Sequence, residues 1–394
     1  MNVIIFEDNN IKNLQPFSIN HASFELKCGT LSNLDRIVSI FGKTENYFLI
    51  VRDELKDLIQ EKFPRYMVNP QKIPSGLYLN GAVIWNKENI STVNSGYAFS
   101  NCGNLVSFLS DKNISFCDIN KTITKTSKVT SDIELDYISY LWDCIDKFKE
   151  VLEFDKKNIK KETIDFLDNS IHLVNQDNIF LSKTCNISPG CILDASNGPI
   201  IFNNNVHIKS GSIIEGPIFV DHDSVINNGA KLKGNILVGP KCKLGGEITD
   251  SIFLGYSNKQ HDGFLGHSFI GEWVNIGANT NNSNLKNNYG KIRFHFPEYI
   301  KDTNRMFLGV MVGDYTRIGI STMINTGSYF GLGANIFGSD FQDKYIKSFS
   351  WGNNDVTEFH KLIDTIKIIK SRRSEILKES EISFLKTLYN SIIK

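Results

Sequence analysis

The sequence predicts an α/β unit, then a left-handed parallel β-helix of hexapeptide repeats, then a C-terminal helical tail. Three observations predict it. Short apolar runs alternate with helix-spaced stretches over the first hundred-odd residues. Aliphatic residues then recur at every sixth position through the middle of the chain, and helical spacing with many charges returns after residue 355. At 394 residues the chain has length for two or three domains, and we expect them at 1–165, 166–345 and 346–394.

In the first unit NVIIF (2–6), YFLIV (47–51) and GLYLNGAVIW (76–85) are short and rich in β-branched or aromatic residues, which predicts strands. Residues 31–41 and 53–63 carry helical spacing between them. A longer helix is expected over about 132–153, with Leu135, Ile138, Leu141, Ile145, Phe148 and Leu152 on one face. The charged DKKNIKKET that follows reads as a linker, with the boundary near residue 165.

The middle of the chain changes character. Ile208, Ile214, Val220, Ile226, Leu232, Val238 and Leu244 keep a strict interval of six, as do Met306, Val312, Ile318, Ile324, Phe330 and Ile336. A short piece, Phe264, Ile270 and Ile276, lies between them. Six is the period of neither helix nor strand. It builds one flat face of a triangular prism, and three faces close a coil of about 18 residues. Each aliphatic points inward, and small residues such as Thr316, Thr322, Ser328 and Ala334 fit the tight corners. Gly and Asn, as at Gly313, Gly319 and Asn325, tolerate the left-handed backbone that such corners demand. About six coils at the strand spacing of ~4.8 Å give a prism on the order of 30 Å long. Residues 253–263 and 279–305 break the interval, which predicts loops leaving the prism, where binding groups usually sit. The tail, with Arg372 and Arg373, is expected to pack on the prism or on a neighbouring subunit.

Composition excludes several classes. Lys plus Arg and Asp plus Glu are each 43, and a net charge of zero argues against broad nucleic-acid binding, which needs a basic surplus. No apolar run approaches the roughly 20 residues that span a bilayer. The start MNVIIFEDNN turns acidic and is not a signal peptide, so a cytoplasmic protein is expected. Seven cysteines (Cys28, Cys102, Cys117, Cys144, Cys185, Cys191 and Cys242) form no CxxC pair, and free thiols are expected rather than a disulfide framework or a zinc site.

The densest polar set runs from Gly255 to Arg293 and includes Lys259, His261, Asp262, His267, Asn275, Asn284, Lys286, Tyr289, Lys291 and Arg293. His261 and His267 are one hexad apart, up to ~20 Å of chain at ~3.3 Å per residue, too far for two ligands of one ion in the same chain; no metal site is expected there, an ion shared across a subunit interface being the alternative. A single loop histidine suits another task. Acyl transfer from a thioester to an amine needs a base active near neutral pH, which imidazole supplies, and no protein nucleophile. Backbone N–H groups of such loops also stabilise the developing oxyanion. His261 is the candidate; His267, after Gly266 inside a regular hexad, reads as a surface residue. In the first unit no glycine follows the first strand until Gly29, so the Gly-rich phosphate loop of ordinary nucleotidyltransferases is missing. Glu7 and Asp8 are the candidate ligands for Mg2+ there, and Lys27 the candidate phosphate contact.

The stretch SNKQHDGFLGHSFIGEWVNIGANTNNSNLKNNYGKIR resembles the acetyltransferase half of bacterial bifunctional UDP-N-acetylglucosamine diphosphorylase/glucosamine-1-phosphate N-acetyltransferases. It looks closest to a divergent branch with a shortened, nucleotidyltransferase-like first domain. His261, Phe264, Leu265-Gly266, Ile270-Gly271 and Val274 to Thr280 match the family's order without a gap. The resemblance implies that His261 deprotonates the sugar amine, that Asn275 binds substrate, and that Asn288-Tyr289 correspond to the family's NY pair. Phe264 stands where the family usually has tyrosine and lacks its hydroxyl, and Asn279 replaces a glycine. Lys291 or Arg293 would meet the phosphate, on charge and location. FEDNNIKNLQPF, FELKCGTL, LWDCID and FSWG followed by SRR look like further landmarks of the branch. Its aspartate pair, TRP and ELR stand here as Glu7-Asp8, Asn20-His21-Ala22 and Glu25-Leu26-Lys27, without either arginine.

These readings predict transfer of acetyl from acetyl-CoA to an amino-sugar phosphate. The resemblance implies a homotrimer, with active sites between prisms and the coenzyme along the later coils. Flat exposed strand edges favour such association. The competing reading gives the chemistry to the first unit, joining a nucleotide to a sugar phosphate with Mg2+ while the β-helix only sets the oligomer. A third makes both halves a binding or scaffold protein that keeps the fold.

Overall fold

Four of the five residues Asn2–Phe6 are β-branched or aromatic, and they form an interior strand of a mixed seven-stranded sheet. The sheet belongs to a computed structural model that describes residues 1–42, 45–93, 99–101, 104–126, 131–132, 135–162, 167–352 and 355–393. The expected boundary near residue 165 and Cys102 lie outside the described residues. From one edge the strand order is Ser131–Asp132, Phe99–Asn101, Asn104–Ser110, Gly76–Asn80, Asn2–Phe6, Asn46–Ile50 and Met67–Val68. Asn2–Phe6 runs parallel to both its neighbours, while Gly76–Asn80 and Asn104–Ser110 are antiparallel. Val3, Ile4, Ile5 and Phe6 are fully buried. Helices Asn33–Phe41 and Lys56–Lys62 stand where helical spacing predicted them.

Two expectations for this unit change. The strand expected over 76–85 stops at Asn80, whose side-chain oxygen accepts from the Ala82 N–H at 2.9 Å while its amide donates to the Leu105 carbonyl at 2.8 Å. The helix expected from residue 132 starts only at Leu141 and runs to Asp155. Residues 135–138 instead pair as extended chain: Ile84 N–H donates to Asp136 and Ile138 N–H to Ala82, each at 2.9 Å. Leu135 and Ile138 are buried by that pairing, which overrides their helical spacing.

The chain divides into two compact units, Met1–Tyr140 with Lys378–Thr387, and Leu141–Leu377 with Leu388–Lys394. Helix Leu141–Asp155 is thus part of the second unit.

That second unit is a three-sided parallel β-helix. Its first face stacks His172–Val174, Ile192–Asp194, Ile213–Glu215, Lys231–Lys233, Glu247–Thr249 and Phe264–Gly266. The second face holds nine strands, from Ile179–Leu181 to Tyr345–Ile346. The third runs from Asn186–Ile187 through Lys243–Leu244, Asn258–Lys259, Asn275–Ile276 and Arg317–Ile318 to Ser350–Trp351. Nine rungs exceed the six expected, because coils before Ile208 and after Ile336 continue the stack without the strict interval. The column Ile208 to Leu244 lies inside the prism, every member fully buried.

Residues 253–263 do not leave the wall. Register places Phe253 opposite Val238, Lys259 opposite Leu244, and Leu265 opposite Ile248. The corners are shortened, so the interval drops below six while the coil continues. Leu265, and not Phe264, takes the inward place. Met306, expected inside, is 39% exposed, because it ends the segment that does leave the prism. That segment carries the antiparallel hairpin Ile292–His295 with Ile300–Arg305.

The corners also differ from expectation. Left-handed backbone falls at Gly and Asn, but also at Tyr256, Trp273 and Tyr315, with φ of 55°, 61° and 61°. Tyr256 stacks on Trp273 at 4.1 Å between ring centroids, and Trp273 faces Tyr315 at 6.5 Å. The Lys370 ammonium lies 5.4 Å from the Trp273 ring. Aromatic pairs are worth about 0.5–1.5 kcal/mol beyond their burial, comparable with the ~1–2 kcal/mol cost of a left-handed side chain. Helix Phe359–Ser371 buries Leu362, Ile363 and Ile366, and Tyr389 of helix Glu379–Ile392 packs 5.3 Å from the rings of Phe349 and Phe359.

Replacing Trp273 therefore destabilises the prism, and glycine there should be less harmful than alanine by about 1 kcal/mol, since only glycine adopts φ near +60° freely. Thermal unfolding of Trp273→Gly and Trp273→Ala measures the order; alanine equal to or above glycine would remove the strain argument.

Candidate functional site

The His261 turn is held by its own backbone. The Gln260 carbonyl accepts from the Asn227 side-chain amide at 3.0 Å, and the His261 carbonyl from the Lys259 ammonium at 2.9 Å. The Asp262 carbonyl accepts from Asn279 N–H at 2.9 Å, and the Gly263 carbonyl from Glu247 N–H at 3.3 Å. Four consecutive carbonyls thus each have a donor, and the His261 side chain stands exposed on a pinned turn. Two glycines make room. At Gly246, φ 73°, a Cβ would lie within 3 Å of the His261 and Gly263 carbonyl oxygens, and at Gly263, φ 126°, it would lie 2.2 Å from the Thr280 carbonyl.

Lys259 is the unexpected member. Its residue is 1% exposed, at the register position that Leu244 and Ile276 fill with aliphatics one coil to either side. A bare ammonium in a dry core is costly, and this one donates to the Gly245 carbonyl at 3.1 Å as well as to His261. Burial pushes its pKa down to about 8, with Asp262 opposing. The signal was legible once the shortened corner is known: Lys259 follows inward Phe253 by six.

His267 was expected on the surface, and it is half-buried. Its backbone is left-handed, φ 50°, and its ring stacks on Phe307 at 5.2 Å. Nδ1 lies 2.9 Å from the Asn284 amide and Nε2 3.8 Å from an Asp250 oxygen. Burial lowers its pKa below the ordinary value, with Asp250 partly opposing, which favours a neutral ring. Asp250 precedes His267 by 17 residues, one coil in this part of the prism, and that spacing was the missed signal.

Phe264 begins the neighbouring strand on the first face, and its N–H donates to the Asn281 side chain at 2.7 Å. Gly266 N–H donates to Asn282 at 2.8 Å, so the start of the excluded segment is stitched to the strand that follows the His261 turn. Asn275 is an outward rung of the third face, in register with Asn258 and Arg317. Asn288, Tyr289, Lys291 and Arg293 all lie on the excluded segment. Asn288 accepts from Gly290 N–H, Tyr289 is 67% exposed, and the Lys291 carbonyl accepts from Lys286 at 2.5 Å. Among the described residues, no hydrogen bond, ion pair or ring contact joins these four to His261 or Phe264.

In the first unit the expected Mg2+ ligands do not fit a metal. Glu7 is buried; its carboxylate accepts from Ser23 N–H at 3.0 Å and from the Arg52 guanidinium at 3.0 and 3.2 Å. Asp8 accepts from Asn10 N–H, from the Asn80 amide and, at 2.7 Å, from the Tyr137 hydroxyl. Both carboxylates are committed to holding the loop after the first strand. Lys27 lies in a two-residue ladder with Ser32. An open cavity of about 860 Å³ lies elsewhere in this unit, lined by Asp53, Lys56, Asn69, Gln71, Lys72 and Asn113 among others.

Residues 3–164 match the family model described as sugar nucleotidyl transferase. The bifunctional protein GlmU of Wigglesworthia glossinidia brevipalpis is 30% identical over 190 residues, 46% of this chain and 36% of that protein. A bifunctional sugar-1-phosphate nucleotidylyltransferase/acetyltransferase of Sulfurisphaera tokodaii is 30% identical over 142 residues, 36% of this chain and 35% of that one. GlmU of Thermosipho africanus is 23% identical over 335 residues, 77% of this chain and 66% of its own. The matches span little more than a third of the first two relatives. The chain is similar to bifunctional GlmU-type proteins at low identity, and its first unit is nucleotidyltransferase-like, as the resemblance implied.

Two measurements probe this geometry. Lys259→Met should keep the prism at least as stable, since it exchanges a buried ammonium for an apolar side chain, while amides of 260–263 exchange with solvent about tenfold faster or more. Unchanged exchange would mean that the ammonium does not hold the turn. For His267, a pKa below the ordinary 6.5 means stability fully present above that value and lost as pH falls below it. The thermal midpoint should drop between pH 7 and 5, and drop less in His267→Asn, where asparagine suits the left-handed backbone.

Proposed function

We propose that the second unit is an acyltransferase that moves acetyl from acetyl-CoA to the amine of an amino-sugar phosphate. The observation that carries this reading is the His261 turn: four carbonyls pinned, the imidazole outward, and Phe264 opening the adjacent strand. The amine nitrogen attacks the thioester carbonyl while His261 takes its proton. The C–N bond forms as the C–S bond breaks, and the proton passes to the departing thiolate. Phe264 and Asn275 flank the turn as substrate contacts. Asn288, Tyr289, Lys291 and Arg293 sit on the excluded segment, so their contacts with sugar and phosphate require substrate or a neighbouring subunit to bring them in. The protein works as a homotrimer in the cytoplasm; among the described residues no helix is long and apolar enough to cross a membrane.

A second reading is favoured by the family match over residues 3–164: nucleotidylyl transfer to a sugar 1-phosphate by the first unit. Its phosphates would meet Lys56 and Lys72 in the open cavity rather than Glu7 and Asp8.

One assay separates the readings. Purified protein receives acetyl-CoA and a panel of amino-sugar phosphates, and free thiol is followed. His261→Ala should reduce the rate by about 10²–10⁴, the usual worth of a general base. Thiol release indifferent to the substitution would remove His261 from the mechanism. Pyrophosphate release from a nucleoside triphosphate and a sugar 1-phosphate, without thiol release, would transfer the activity to the first unit.

A further inference from the structure

The third face of the prism carries an uncompensated positive ladder. Lys243 is in register with Asn258, Asn258 with Asn275, and Asn275 with Arg317. At ~4.8 Å per rung, two cations about 14 Å apart at the backbone bracket two side-chain amides. The end of helix Phe359–Ser371 comes down on this ladder. Arg373 donates from its guanidinium to the Asn258 side chain at 2.8 Å, and its carbonyl accepts from Lys241 at 3.4 Å. Arg372 is the exposed residue beside it.

These charges work against one another. Burial and then Arg373, Arg372 and Lys209 lower the Lys243 pKa; burial and then Arg372 lower that of Arg317. Among the described residues no carboxylate lies within ion-pair distance of Lys243, Arg317, Arg372 or Arg373. A helix C-terminus attracts cations, which accounts for Arg372 but not for Lys243 and Arg317, which come from the sheet. Arg317 also lines a cavity of about 620 Å³ whose other walls include Asn335, Trp351, Asp355, Glu358, Lys361 and Ile366. Guanidinium groups and side-chain amides along one ladder match the oxygens of a phosphate or diphosphate.

We propose that Lys243, Arg317, Arg372 and Arg373, with the amides of Asn258 and Asn275, form a binding site for the phosphate of a phosphomonoester or diphosphate ligand, whose uncharged remainder lies in the adjoining cavity. The site adjoins the acyl-transfer reading at Asn275, a residue common to both, and that reading supplies two of the probes: a coenzyme A thioester and an amino-sugar phosphate both carry this chemistry.

The test uses the full chain at low ionic strength, where such contacts are strongest. Thermal unfolding and calorimetric titration are run with inorganic pyrophosphate, coenzyme A and glucosamine 1-phosphate, on wild type, Arg372→Gln and Lys243→Gln. Pyrophosphate should raise the wild-type midpoint by several degrees, and its affinity should fall at least about tenfold in each variant. Without ligand, Arg372→Gln should be at least as stable as wild type, because repulsion is relieved. Tighter binding of coenzyme A or of glucosamine 1-phosphate than of pyrophosphate supports the site and names its source. Equal shifts in wild type and variants, no shift with any probe, or a ligand-free Arg372→Gln that unfolds earlier would overturn it. Because binding is read without turnover, a failure here is distinct from a failure of His261→Ala to lower thiol release.

Discussion

The structure of the second unit depends on a rule of closure: a three-sided coil sends one side chain per face into a dry interior, and that side chain must be apolar or bring its own partners. Nearly every coil obeys with Ile, Val, Leu or Phe. Lys259 obeys in the other way. Enclosed by aliphatic coils, its ammonium finds acceptors only at the backbone, in the carbonyls of Gly245 and His261. The need to satisfy one buried charge thereby fixes the turn that presents the candidate base. A prism with leucine at that place would close equally well and leave the His261 carbonyl without this donor.

Much of the fold was legible because the interior selects for residue type at fixed intervals. Ile208 through Leu244 are visible in the sequence for that reason. Shortened corners were not legible, since dropping residues between Leu244 and Phe253 alters the count without altering the wall, and a regular rung at Asn258–Lys259 then reads as loop. The aromatic corners escaped for a different reason. Local propensity assigns left-handed backbone to Gly and Asn, while Tyr256, Trp273 and Tyr315 hold it through stacking between residues a coil or more apart. His267 was misread by the same locality: Asp250 and Asn284, which bury it, belong to other coils. His261 stood out because it lies in the densest polar stretch, where the interval of six breaks, and because the residues after it match the order of the family that the stretch resembles.

In the first unit acidic residues that invite a metal or nucleotide reading are consumed by the fold. Glu7 is raised by burial against the opposing pull of Arg52, and Arg52 also donates to backbone carbonyls of Ser18 and His21. Burial likewise raises Glu25, but Lys62 and His21 outweigh it and hold the carboxyl at about 2. These pairs organise residues 7–26, the stretch in which a glycine-rich loop would present bare N–H groups. In this stretch paired carboxylates order the backbone where a glycine-rich loop would leave N–H groups free for phosphate. The similarity to sugar nucleotidyl transferases over residues 3–164 therefore speaks for descent of the sheet more directly than for its chemistry.

The two halves of the second unit's polar surface meet at one rung. In the strand Asn258–Lys259, adjacent residues face opposite sides of the wall. Asn258 points outward and binds Arg373; Lys259 points inward and holds the His261 carbonyl. The two side chains leave the wall from adjacent Cα atoms joined by a single peptide unit. Arg373, already seated on Asn258, thus rests on the same backbone that positions the His261 turn. Charge collected outside the prism and charge buried inside it are separated by one peptide unit. The contact with Arg373 outside the prism and the contact with the His261 carbonyl inside it therefore lie one residue apart.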